Sequence, residues 1–155
     1  MPAHPVFSPN VLKALCDVLG DTDAGLKGNE IGRLLAMCKI RDPSPTLTKR
    51  HRLFEALKAR QDHDQCSNAV LYFVQEAMDP VRYRAETDIF DSRRRHVNEA
   101  LAFAGWQVGE DGKLGSVGKA ATLTEAQERA GRLRMELQRR AVHPDVLQFC
   151  EIELL

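Results

Sequence analysis

Apolar residues recur at helical spacing along almost the whole chain, in blocks separated by glycine, proline and short polar turns. Ser8 before Pro9 has the form of an N-cap and first helical position. Val11, Leu12, Leu15, Val18 and Leu19 then predict a first helix that ends at Gly20. After a turn at 21–25 (DTDAG), a second helix over 28–38 presents Ile31, Leu34, Leu35 and Cys38 to a core. The connection 39–47 holds Pro43 and Pro45 and so is not helical throughout. Thr48 is placed to cap a third helix to about Arg60, with Leu53, Phe54 and Leu57 inward. Residues 61–67 (QDHDQCS) turn the chain, and Ser67 opens a fourth helix. Its stripe of Val70, Leu71, Phe73, Val74 and Ala77 predicts the most buried helix of the set.

Pro80 stops that helix near Met78. Thr87 or Asp88 starts a fifth, which carries Ile89, Phe90, Val97, Leu101 and Phe103 and ends at Gly105. The strand signal lies at 106–108 and 113–117, around the hairpin dipeptide Asp111-Gly112. Thr122 and Glu125 are spaced as a capping box for a sixth helix to about Arg140. His143-Pro144 begins a last one, with Val146, Leu147, Phe149, Cys150 and Ile152 apolar. The expected fold is mainly α: a compact multi-helix domain with one β-hairpin, winged-helix-like if the hairpin acts as a wing. Residues 1–9 are expected to be loose, 10–142 to form the helical domain, and 143–155 to be a C-terminal helix or a linker to a further or partner domain.

Composition narrows the function classes. The chain has 155 residues, 43% hydrophobic and 28% charged, with 22 basic and 22 acidic side chains and a formal net charge of zero. That balance argues against broad, non-specific attraction to polyanions. No run of about 18 apolar residues is present, so no membrane span is expected. The first ten residues lack a charged, then apolar, leader pattern. A cytoplasmic chain is expected, with Cys16, Cys38, Cys66 and Cys150 reduced and mostly in the core.

Candidate catalytic and metal motifs fail on spacing. His63 and Cys66 are three apart, but zinc needs four ligands and no second pair appears, so no metal or cofactor is expected. Residues 112–120 (GKLGSVGKA) imitate a phosphate loop, yet the glycine spacing is wrong and Ala120 stands where a Ser or Thr is required. No nucleophile elbow is present, and no cysteine has a motif context tying it to a histidine. Helical ribonucleases of the HEPN class place four to six residues between an Arg and the His that follows it. Arg60 and Arg140 leave only two before His63 and His143, and Arg139 leaves three before His143. Asp21 with Asp23, and Asp62 with Asp64, read as turn formers and caps. No enzyme is expected.

The basic clusters carry the remaining signal. Lys49, Arg50, His51, Arg52, Lys58 and Arg60 crowd the third helix, mainly opposite its apolar residues. Arg93, Arg94 and Arg95 crowd the fifth, and Arg129, Arg132, Arg134, Arg139 and Arg140 the sixth. A helix presenting several cations can neutralise phosphates. The candidate nucleic-acid-binding set is therefore Lys49, Arg50, Arg52, Lys58, Arg60, Arg93, Arg94 and Arg95. Against it stand Glu55, Asp91, Glu128 and Glu136 on the same helices, and a connection before Thr48 too long for a helix-turn-helix turn. The alternative is a protein–protein or homo-oligomerisation module using the apolar face of Val146, Leu147, Phe149, Ile152 and Leu155.

Four segments, 26–61, 68–83, 98–114 and 140–155, together resemble the N-terminal region of the Ymh-like family of bacterial and phage-associated proteins. The most specific pieces are the hexapeptide from Met78 to Tyr83 and the LAFAG…DGK stretch over 101–113. The resemblance implies a sensing or adaptor part of an abortive-infection-type defence protein. A HEPN-type effector domain would then follow Leu155. It implies no catalytic residue in this chain.

Overall fold

The computed structural model describes residues 2–131, and the fold over them is mainly helical with one two-stranded antiparallel hairpin. The expected last helix, with its apolar face Val146, Leu147, Phe149, Ile152 and Leu155, lies outside the described residues, as do Cys150 and the cations from Arg132 onward.

Helix α1 (Pro9–Leu19) starts as its sequence dictates: the Ser8 hydroxyl accepts from the Val11 N–H at 3.2 Å. It buries Leu12, Leu15, Cys16 and Leu19 and stops at Gly20. A Cβ there would stand 2.8 Å from the Arg50 nitrogen, so glycine admits the start of the third helix. Helix α2 (Gly28–Met37) buries Ile31, Leu34 and Leu35, and Glu30 reaches back to the Lys27 N–H at 2.9 Å. It closes in a Schellman motif: Lys39 N–H bonds the Ala36 carbonyl, Ile40 N–H bonds that of Leu35, and Lys39 takes a left-handed φ of 58°.

Helix α3 (Lys49–Asp64) overruns its expected end by a turn. The polar stretch 61–64 contains no glycine or proline, and Lys58–Asp62 and Arg60–Asp64 pairs one turn apart support the extension until Gln65 turns left-handed at φ 56°. Thr48 takes the N-cap position without a side-chain cap bond. Helix α4 (Asn68–Ala77) buries all five residues of its expected stripe. A 3-10 turn (Pro80–Tyr83), capped by Asp79 on the Val81 N–H at 3.0 Å, fills a stretch with no periodic signal. Helix α5 (Thr87–Leu101) buries Phe90, Val97 and Leu101, whereas Ile89, named in the same apolar set, is exposed. A second 3-10 turn (Ala102–Ala104) leads to Gly105 at φ 80°.

Strands β1 (Trp106–Val108) and β2 (Leu114–Ser116) pair with Trp106 opposite Ser116 and Val108 opposite Leu114. The hairpin does not stand off as a free wing. Its Gly112 packs so close that a Cβ would lie 2.5 Å from the Met78 carbonyl oxygen, and Leu114 N–H bonds Gln75 at 3.2 Å. Helical backbone resumes at 123–131, where Thr122 accepts from the Glu125 N–H and Glu125 caps the Ala121 N–H. The core lies where α1 packs on α3 and α5 and where α4 packs on α3 and α2. Among the described residues no helix is long and apolar enough to cross a membrane.

Residues 2–8, expected to be loose, are docked. Phe7 is buried in the main core and its backbone is held by Gln61, because the segment carries an apolar anchor among its prolines.

Candidate binding clefts

The eight cations singled out by clustering do not share one face. Arg52 and Arg94 are buried, at 5% and 4% exposure. The Arg52 Nε donates to Asp42 at 3.0 Å and Nη1 to the Gly28 carbonyl at 3.0 Å, which ties the 39–48 connection and the start of α2 to α3. Arg94 Nε donates to the Val108 carbonyl at 2.8 Å, which Asn98 also binds, fastening the hairpin to α5. Both guanidiniums serve as backbone ligands inside the fold, so neither is available to a phosphate. The cationic face expected on α3 is broken at Arg52, and the Arg93–Arg95 cluster on α5 loses its middle member to the core.

Lys49, Arg50 and Arg93 converge instead on a cleft of about 1130 Å³ between the 20–27 turn, the start of α2, the 3-10 turn and α5. Lys49 Nζ donates to the Leu26 carbonyl at 2.9 Å, and Arg50 pairs with Asp21 at 2.7 Å. Arg93 donates to the Tyr83 hydroxyl and to the Ala24 carbonyl, both at 2.8 Å, with its guanidinium carbon 5.4 Å from the Tyr83 ring centroid. Lys27, Arg33 and Arg82 complete the cationic lining, and Arg82 pairs with Glu30. Clustering missed these three because none belongs to a run of three or more basic residues on one predicted helix. Six carboxylates line the same cleft: Asp17, Asp21, Asp23, Glu30, Glu86 and Asp88. Asp21 is held below its usual range by the Ala24 N–H, then by Arg50 and the Asp23 N–H, so it stays ionised. The cleft is thus lined evenly by both signs.

Lys58 and Arg60 lie on a second cleft, of about 860 Å³, with Lys39 and Arg41 and with Phe54 and Pro43 as apolar lining. Lys58 pairs with Asp62 at 2.8 Å. Arg60 pairs with Asp64 at 2.7 Å and donates to the Lys39 carbonyl at 2.6 Å. The Asp64 carboxyl is lowered by His63 first and Arg60 second. Arg95 stands apart from both clefts, with Nη2 3.5 Å from His96 Nε2.

Two of the cysteine thiols are buried and unreactive. Burial pushes the Cys16 thiol up to about 12 and Cys38 up to about 11, so both stay protonated at neutral pH. His63 turns to Asp64, whereas Cys66 is half-buried. Among the described residues no group of three or more His, Cys, Asp or Glu could hold a metal ion. Comparison of the chain with protein-family models, with curated proteins and with solved structures finds no match.

Proposed function

We propose that this chain is a cytoplasmic, non-catalytic binding domain, and that its ligand site is the mixed-charge cleft between the 20–27 turn and α5. The sensing or adaptor role in phage defence implied by the Ymh-like resemblance is part of the same proposal. The observation that carries it is the convergence of six cations and six carboxylates from sequence-remote segments on one cleft. A wall carrying both signs complements a polar protein segment that itself carries both signs, and disfavours a polyanion. A protein partner therefore comes first.

Site-specific photo-crosslinking from position 89, at the exposed rim, tests this. A discrete adduct is expected that disappears on combined Arg33→Glu and Glu86→Lys reversal. An adduct indifferent to that reversal would sink the cleft as the site.

Nucleic acid is the second reading, favoured by one observation: the Arg50 side chain is half exposed despite its pairing. Affinity for RNA and DNA over a salt series, with Arg33→Ala and Arg50→Ala, decides it. A polyanion site loses affinity steeply with salt, and each variant flattens that slope by about one counterion.

A further inference from the structure

The second cleft, between the start of the 39–48 connection and α3, shares no lining residue with the mixed-charge cleft. Its charges are unequally paired. Lys58 and Arg60 are taken by Asp62 and Asp64 one turn on, and Glu55 lies 2.9 Å from His51 Nε2. The side chains of Lys39 and Arg41 are exposed and have no partner among the described residues. The backbone beneath them is nonetheless fixed. Cys38 and Ile40, which alternate with them, are buried at 7% and 4% exposure. The Lys39 carbonyl accepts from Arg60 at 2.6 Å, and Asp42 accepts from the buried Arg52 at 3.0 Å. Lys39 also holds its left-handed φ of 58°, where glycine would be unstrained. A side chain therefore stands there at a cost in stability and holds nothing inside the fold. Beside the two cations, Pro43 and the half-buried Phe54 form an apolar wall.

Two pre-positioned, unpaired cations next to a proline and an aromatic ring suit a compact dianion carried on a flat body. A phosphate monoester bears nearly two negative charges at neutral pH and accepts from both cations, whereas a lone carboxylate leaves one of them unmatched. An aromatic base stacks on the face of a phenylalanine ring. Glu55, Asp62 and Asp64 on the same cleft repel a phosphate backbone that runs on, which selects one phosphate over a strand. The volume of about 860 Å³ lies in the range of small-molecule pockets, about 300–1,000 Å³. We infer that the second cleft binds a small aromatic phosphate of the nucleoside-monophosphate class, with Lys39 and Arg41 on the phosphoryl oxygens and Phe54 against the base.

Thermal unfolding of the full chain with each of the four common ribonucleoside monophosphates tests it. At about ten times its dissociation constant, at least one is expected to raise the midpoint by about 3–6 °C. The matching nucleoside, and inorganic phosphate, should each raise it by no more than about 1 °C at the same concentration. Lys39→Gly and Arg41→Ala change exposed side chains that the fold does not use, and each should weaken the nucleotide by about tenfold. Lys113→Ala, which removes an exposed cation outside both clefts, should leave its affinity unchanged. No shift with any of the four at about 10 mM overturns the site, as does a shift that survives Lys39→Gly and Arg41→Ala combined. A shift that inorganic phosphate reproduces in full overturns the base contact. A 5′-phosphorylated trinucleotide that binds more tightly than the monophosphate overturns the single nucleotide as the ligand.

Discussion

Arg50 and Arg52 sit two positions apart on α3, about 200° around the helix, and that angle gives them different work. Arg50 reaches outward to Asp21, with half its side chain in solvent. Arg52 reaches inward to Asp42 and the Gly28 carbonyl. Arg52→Ala removes a buried guanidinium, leaves those partly exposed acceptors to water and is expected to cost about 1–3 kcal/mol. Arg50→Ala removes an exposed pair and should cost within about 1 kcal/mol. Urea denaturation distinguishes the two, and equal losses would contradict the division. Asp42 supplies a pH test. Its carboxyl is lowered chiefly by the hydrogen bond from Arg52, so its stabilisation is full above the ordinary carboxylate pKa of about 4 and fades as pH falls through the lower folded value. Asp42→Asn should therefore destabilise at pH 7, with the gap to the parent closing as the pH falls below about 4. A gap that stays constant through that fall would show that the carboxylate is not the cause.

At the scale of elements, the ends matter more than the middles. Lys39 occupies a left-handed position that terminates α2 and that glycine adopts without strain. Lys39→Gly should raise stability by about 0.5–1 kcal/mol, read as an upward shift of the thermal midpoint. Gly112 is the opposite case, since its φ is 79° and a Cβ would clash with the Met78 carbonyl and with Pro80 Cδ at 2.6 Å. Gly112→Ala should cost more than about 2 kcal/mol and loosen the hairpin against the α4 end. Amide exchange at Leu114, whose N–H is held by Gln75, reports that loosening directly. The overrun of α3 follows the same logic. A polar run rich in Asp, Gln and His looks like a turn by composition, but nothing in it prevents helix, and pairs one turn apart favour it.

At the scale of the whole molecule, burial sorts the thiols. Native alkylation at neutral pH, mapped by mass spectrometry, should modify Cys66 while Cys16 and Cys38 react only after denaturant is added. Reaction of Cys16 in the native protein would mean that the packing of α1 opens readily.

The helices, their buried stripes and the hairpin were legible from order along the chain, because periodicity and capping depend on neighbours within about four residues. Leu12, Leu53, Phe73 and Val97 were all recognisable as core on that basis. The fate of the charges was not legible. A cation opposite an apolar stripe satisfies the same pattern whether it faces water or reaches a carbonyl in another element. The partners of Arg52, Arg93 and Arg94 lie 10 to 69 residues away. The docking of residues 2–7 and the meeting of Lys27, Arg33, Arg82 and Arg93 in one cleft are likewise products of packing. Local sequence determined which segments are helical and which faces are apolar. Only the tertiary structure decided which cations hold the fold together and which line a cleft, since that choice depends on donors and acceptors brought together by the packing of elements remote in the chain.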